Sequence, residues 1–346
     1  MLFVCGGVVV HNQPNQPRDT LDIYWIDVEG GAATLIVTPQ RESILMDAGW
    51  GRPDQRDALR IQAAMQDANM ERIDYFIASH FHSDHTGGVP ALAERVEVGR
   101  FFDHGDSVEQ HRDNSRQAFE AYLSVADGRR RIVEPGDHLP LKGLEFTFVT
   151  AHGAIPERSS SDLTGPNVYC KDADPVPEDT SENSRSVGYL LSLGAFQFLN
   201  LGDLTVSVQH QLACPENLLG DVDIFQIPHH GNGVAPQLTW ALAPRVAVLS
   251  NGPHKGGSAK GYQVTAQTPN IQDVWQLHRP LDEDEDEDVN PANDDPAVYS
   301  SDALTANLSD TDDCEGHWVK AVVAPDGRSY TVSNGRTGSA RTYPSK

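Results

Sequence analysis

The ten residues Ser79-His80-Phe81-His82-Ser83-Asp84-His85-Thr86-Gly87-Gly88 constrain this chain more than any other stretch. Three imidazoles and a carboxylate fall within six positions. They follow the apolar run Ile73-Asp74-Tyr75-Phe76-Ile77-Ala78, which reads as a buried strand. The fold must therefore deliver a cluster of metal ligands from a strand end. Imidazole suits zinc and related ions, and the carboxylate adds a harder oxygen donor. His80 and His82 alternate about Phe81, so in extended backbone both face one way. Asp84 and His85 come after the chain has turned and can face a second ion. A helix is expected at about 89–96.

The segments around this loop carry further chemistry. Residues 21–28, 33–38 and 43–49 read as a β-meander, and Asp47 closes its third strand before Gly49-Trp50-Gly51. Helical spacing runs over 53–70, with Leu59, Ile61, Ala64 and Met65 on one side. Residues 98–105 read as strand and turn, bringing Asp103 and His104 near a cleft. A helix is expected over 108–126, capped at its end by Arg129-Arg130-Arg131. The strand 144–150 ends near His152, a candidate metal ligand or substrate-binding group. An irregular stretch over 154–180 has the length of a lid or binding loop. Asn183 and Ser186 precede a hairpin that ends in Gly202-Asp203, and the run 222–231 delivers His229 and His230. His254 and Lys255 follow the strand 246–250 and are candidates for holding an anionic group. Residues 270–278 read as a helix. The acidic run 282–288 reads as a loop, and 317–346 reads as a C-terminal β-hairpin packed on the main domain.

His-x-His-x-Asp-His after a strand resembles the signature of the metallo-β-lactamase fold superfamily. The resemblance covers residues 20–280, with an insertion at 153–181, an N-terminal segment at 1–19 and an acidic loop at 281–316. It implies an α/β fold: a metallo-β-lactamase-like four-layer αβ/βα sandwich with two mixed β-sheets. It implies that His80 and His82 hold one ion and that Asp84, His85 and His229 hold the other. His230 is then left as proton donor or support. Asp203 takes the bridging role, because one carboxylate between two cations offsets their repulsion at a spacing of about 3.5–4 Å. Asp47 takes the place that supports the metal loop by hydrogen bonding. Many members carry a third histidine before the strand leading to Gly-Asp, whereas this chain has Asn183 and Ser186. Asn-x-x-Ser, then a strand, Gly-Asp and His-His-Gly is similar to the branch containing the DNA-uptake (competence) nuclease domain. An amide is a weaker ligand than imidazole, so Asn183 either binds a loosely held ion or orients water or substrate.

The resemblance implies a metal-dependent hydrolase with two cations, zinc ahead of manganese or iron, and with Asp84, Asn183 and His230 in catalytic roles. Metal binding lowers the pKa of water from 15.7 towards about 7 and yields a nucleophile at neutral pH. Composition limits the substrate. The chain has 346 residues and a formal charge of −24, from 50 acidic and 26 basic residues. Long nucleic acids bind through basic patches, so the expected substrate is a small phosphodiester or phosphoester. Alternatives are a carboxylic ester, lactone or β-lactam at the same site, a binding protein that kept the fold, and a di-iron redox enzyme, although no flavin-binding segment is visible. No stretch is long enough to span a membrane. Residues 1–10 are apolar and resemble the remnant of a signal peptide, which sets an expectation of export, with a cytoplasmic location as the alternative. Cys5 in that run is a poor lipoprotein site. If the protein is exported, Cys170 and Cys214 are placed to form a disulfide that pins the insertion.

Overall fold

The computed structural model describes residues 19–157, 166–171, 175–281 and 299–346. The apolar start with Cys5, parts of the 153–181 insertion and the acidic run 282–288 lie outside the described residues. The strands in chain order are β1 (Leu21–Trp25), β2 (Thr34–Val37), β3 (Ser43–Met46), β4 (Arg72–Ile77), β5 (Glu97–Asp103), β6 (Arg130–Ile132), β7 (Glu145–Thr150) and β8 (Gly188–Leu193). They continue as β9 (Phe196–Asn200), β10 (Ile224–Gln226), β11 (Val246–Leu249), β12 (Asp273–His278), β13 (Thr305–Asn307), β14 (Val319–Val323), β15 (Ser329–Asn334) and β16 (Ala340–Pro344). The helices are α1 (Arg56–Asp67), α2 (Ser83–Thr86), α3 (Val89–Ala93), α4 (Asp113–Ala126), α5 (Val206–Ala213), α6 (Pro236–Leu242) and α7 (Ala259–Ala266).

Nine strands form one sheet in the order β16-β15-β14-β1-β2-β3-β4-β5-β6, and seven form the other as β13-β12-β11-β10-β9-β8-β7. Both sheets are mixed. Each half starts as an antiparallel meander, β1-β2-β3 or β7-β8-β9, and continues in parallel strands. The halves share this plan without detectable sequence repetition. Strand alternation builds the layers. Ile23, Trp25, Ile36 and Ile44 of the first sheet meet Phe146, Tyr189, Phe198 and Val248 of the second between the sheets. Tyr24, Leu35, Leu45 and Phe76 turn outward onto Ala58, Ile61, Met65 and Tyr122. Leu199, Phe225 and Ala247 face Val208, Leu212 and Leu238 on the other side. This is the four-layer sandwich that the resemblance implied.

Several sequence expectations need correction. Residues 270–278 are not helical: β12 lies between β11 and β13 in the parallel ladder. All six of its residues are buried, so the alternation that marks a half-exposed strand is absent. Leu59 is 43% exposed, because α1 turns Ala58, Ile61, Ala64 and Met65 to the sheet and Leu59 lies one step further round. Arg129 does bond the α4 carbonyl of Val125, but Arg130 and Arg131 enter the edge strand β6, where Arg130 forks onto Asp103. Asp103 also accepts from the Tyr122 hydroxyl and is structural. The C-terminal segment is three strands rather than a packed hairpin. It continues the first sheet, with β14 pairing antiparallel to β1. Within the span 281–316, Thr305–Asn307 belongs to the second sheet. The described part of the insertion is anchored on the outside of that sheet. Asn167 bonds to Ala213 and Gln237, and Cys170 is disulfide-bonded to Cys214 with a Cα separation of 5.8 Å.

Candidate active site

The ligand loop leaves β4 at Ile77 and meets the end of β3 at once. Asp47 stands there in the left-handed region with φ 63°. Its carboxylate accepts from the Ser79 amide at 2.8 Å and the Ser79 hydroxyl at 2.7 Å, and it holds His85 Nδ1 at 2.7 Å. Fixing His85 through Nδ1 turns Nε2 inward. That nitrogen lies 3.3 Å from Asp84 Oδ2 and 3.2 Å from Asp203 Oδ2. His230 arrives from the second half in the same manner. Its Nδ1 lies 3.1 Å from the Ser250 carbonyl, and its Nε2 lies 3.2 Å from Asp84 Oδ2 and 3.1 Å from Asp203 Oδ2. Histidines tethered through one ring nitrogen, with the other converging on carboxylates, have the arrangement of metal ligands with their supports. The donor atoms of Asp84, His85, Asp203 and His230 all lie within 4.8 Å of one another, and all four residues are buried.

His80 and His82 form a neighbouring pair, with His80 Nε2 3.0 Å from His82 Nδ1. Ser79 Oγ holds His80 Nδ1 at 3.0 Å, and Glu109 lies 3.2 Å from His82 Nε2. The His80 and His85 rings stand 4.1 Å apart between centroids, so the pair adjoins the four-residue cluster. These two groups of donors fit the metal ions that the resemblance implies. The backbone must come very close for this. A Cβ on Gly31 would lie 2.3 Å from the Asp84 carbonyl oxygen. Gly202, which aims Asp203, has φ +56°, and a Cβ there would lie 2.8 Å from Ser79 Cβ.

The buried charges set one another. Burial alone would raise the carboxyls of Asp84 and Asp203, but His85 and His230 hold both well below the usual range, with Lys255 adding to Asp84. Burial works against the protonated form of His85 and His230, yet the surrounding carboxylates raise both. Burial and the neighbouring His85 and His82 push His80 well below the ordinary imidazole range.

The histidine pair after β10 reverses the sequence expectation. His230, not His229, joins the cluster. Both residues sit in the left-handed region, at φ 52° and 55°, so the opposite-face rule for a strand does not apply. His229 Nε2 instead meets Asn183 Nδ2 at 3.2 Å. Asn183 Oδ1 and Ser186 Oγ are buried with no hydrogen-bond partner among the described residues, which leaves two oxygen donors available beside the histidines. Lys255 reaches the Asp84 carboxylate and lies 4.9 Å above the Trp50 ring. His254 does not accompany it and bonds to Asp310 at 2.5 Å. His152 bonds to Glu134 at 2.5 Å and takes no part in the cluster's hydrogen bonds.

Glu182 is the residue that sequence reasoning missed. Fully buried, it accepts from the Phe81 amide at 3.1 Å, His104 Nε2 at 2.9 Å, the Ser107 hydroxyl at 3.0 Å and the Val108 amide at 2.8 Å. It thus ties the backbone between His80 and His82 to the loop after β5. Adjacency to Asn183 was its one available signal.

A UPF0173 protein of Pyrococcus abyssi is 24% identical over 261 residues, covering 72% of this chain and 93% of that protein. An atrochrysone carboxyl ACP thioesterase of Cryptosporiopsis sp. is 39% identical over 62 residues, 18% of each chain. The metallo-beta-lactamase fold protein YhfI from Bacillus subtilis aligns with a TM-score of 0.45 at 14% identity, covering 75% of this chain and 96% of that one. A family model described as a beta-lactamase superfamily domain matches residues 42–227, more than half of the chain. Asp47, the whole ligand loop, Asn183 and Asp203 fall inside that span, and the chain therefore belongs to the beta-lactamase superfamily, a metallo-β-lactamase-fold family of mostly hydrolytic enzymes.

Proposed function

We propose that this protein is a dinuclear metal-dependent hydrolase acting on a small phosphodiester or phosphoester. The observation that carries the reading is the convergence of Asp84, His85, Asp203 and His230 on one point, with the His80–His82 pair beside it. Zinc or a related ion held there would supply an acidified water and an electrophile for the substrate oxygen. Asp203 Oδ2 lies 3.2 Å from His85 Nε2 and 3.1 Å from His230 Nε2, and Asp47 keeps His85 in the orientation that presents Nε2. The water oxygen bonds to phosphorus as the bond to the leaving oxygen breaks, and the proton that the water releases goes to the leaving oxygen. Lys255 would hold an anionic substrate group against Trp50, which also lines a pocket of about 540 Å³ together with Ser83 and Gly87. Asn183, bonded to His229, would orient water or substrate through its unpartnered oxygen. The Asn183-x-x-Ser186 pattern supports a phosphodiester, and the charge of −24 supports a small one.

The local match to the thioesterases supports a second reading, hydrolysis of a carboxylic ester, thioester, lactone or β-lactam at the same site. Metal content and chromogenic assays decide between the two. Turnover of bis-(p-nitrophenyl) phosphate, with about two metals per chain and loss in Asp203→Asn, supports the first. Turnover of carbonyl substrates alone supports the second. Metal-free, inactive protein would sink both. The Cys170–Cys214 bridge supports an exported location, since disulfides persist in oxidising compartments. Alkylating thiols before cell lysis tests this, and free Cys170 and Cys214 would overturn it.

A further inference from the structure

Asp27, His278 and Cys314 come from three distant segments: the turn after β1, the last residue of β12 and the loop before β14. Their side chains meet. His278 Nε2 lies 3.0 Å from Asp27 Oδ2, and Cys314 Sγ lies 3.2 Å from Asp27 Oδ2 and 3.3 Å from His278 Nε2. Asp27 and His278 are fully buried, and Cys314 is half-buried. The edges of this triangle match the 3.1–3.3 Å spacings in the active-site cluster. Both contacts of His278 use the same ring nitrogen. That excludes a thiol–imidazole–carboxylate relay, in which the carboxylate would take the other nitrogen. Convergence of one oxygen, one nitrogen and one sulfur on a single point is instead what a cation requires. Tetrahedral zinc bonds of about 2.0–2.3 Å place ligand atoms roughly 3.3–3.6 Å apart, so the triangle needs to open by only a few tenths of an ångström.

We propose that Asp27, His278 and Cys314 form a second cation site, separate from the active site, for a thiophilic divalent ion of the zinc class. Sulfur and imidazole select against magnesium and calcium, which take oxygen donors. A pocket of about 230 Å³ lies against Cys314, flanked by Asp313 and Glu315. It offers an entry route and room for water as a fourth ligand. Arg60 holds the site from behind. It donates to Asp27 Oδ2 at 3.1 Å, to the Asp27 carbonyl at 3.2 Å and to the Cys314 carbonyl at 2.9 Å. Without a cation, burial and the Asp27 charge push the Cys314 thiol up to about 12, so binding the ion at neutral pH releases the thiol proton to solvent. The ion would staple the first sheet at β1, the second at β12 and the segment that enters β14.

Cobalt(II) is the probe, because a thiolate–cobalt bond gives a near-ultraviolet charge-transfer band. The active-site residues contain no sulfur, and Cys170 and Cys214 are bridged. Titration of the metal-free full chain is expected to raise the band to a plateau that corresponds to one thiolate-bound cobalt per chain. The band is expected to persist in Asp203→Asn and Cys5→Ser and to vanish in Cys314→Ser, with bound cobalt falling by about one ion per chain. Absence of the band in the unsubstituted protein, or its persistence in Cys314→Ser, would overturn the proposal. The titration of Cys5→Ser, in which Cys314 is the one thiol outside the Cys170–Cys214 bridge, decides even if Cys314→Ser fails to fold.

Discussion

Replacing Glu182 with alanine would expose how the ligand loop is held. The carboxylate takes four hydrogen bonds inside the protein. Removing it leaves the Phe81 and Val108 amides, the Ser107 hydroxyl and His104 without their acceptor. Leaving a buried donor without its acceptor costs about 1–3 kcal/mol, and relaxation and water entry across the four donors keep the expected total to about 3 kcal/mol. An unfolding entropy of about 2.1 cal/mol/K per residue converts that into a melting shift of roughly 4 °C. Because Phe81 sits between His80 and His82, the loss should reach the site as well. We expect metal affinity to fall by 10-fold or more, the scale seen when groups supporting metal ligands are removed. Glu182→Gln keeps the shape but faces one donor with another, so it should recover part of the stability. Burial raises the Glu182 carboxyl, but His104 and the two amides lower it below its ordinary 4.5. Its stabilisation is therefore present above pH 4.5 and is lost as the pH falls through the lower folded value. The stability gap between the unsubstituted protein and Glu182→Gln should close below about pH 4.5. Thermal melts across pH and competition for metal against a chelator measure both effects. A Glu182→Ala protein with an unshifted midpoint and unchanged metal affinity would refute the reasoning.

Three other outcomes are expected. His230→Ala should lose metal and activity, whereas His229→Ala should keep its metal and change turnover only; equal metal loss in both would restore His229 as a ligand. Lys255→Ala should raise KM for an anionic substrate about 10-fold or more, the scale of a charge-assisted hydrogen bond, and leave a neutral ester unaffected; kinetics on the matched pair of substrates tests this. Reducing the Cys170–Cys214 bridge, which spans 44 residues, should cost about 4 kcal/mol by chain entropy, visible as a lower urea midpoint with reductant and no change in Cys170→Ser/Cys214→Ser.

The sequence determined the chemistry of the site and the plan of the fold. Four candidate ligands in fixed local spacing, His80, His82, Asp84 and His85, apolar runs that end on them, and Gly-Asp after a strand are local features, and local spacing survives without tertiary information. The meander at 21–49, the ligand strand and the hairpin into Asp203 could be read because alternation and turn residues mark them. What stayed hidden depends on neighbours distant in the chain. β12 looked helical because a strand buried on both faces shows no alternation. The choice between His229 and His230 was made by two left-handed residues, a backbone state that the side-chain pattern does not encode. Glu182 gained its role only when the fold brought Phe81 and His104 to it from about 80 to 100 residues away. Asp27, His278 and Cys314 share no motif, and packing of the two sheets alone brings them within bonding distance.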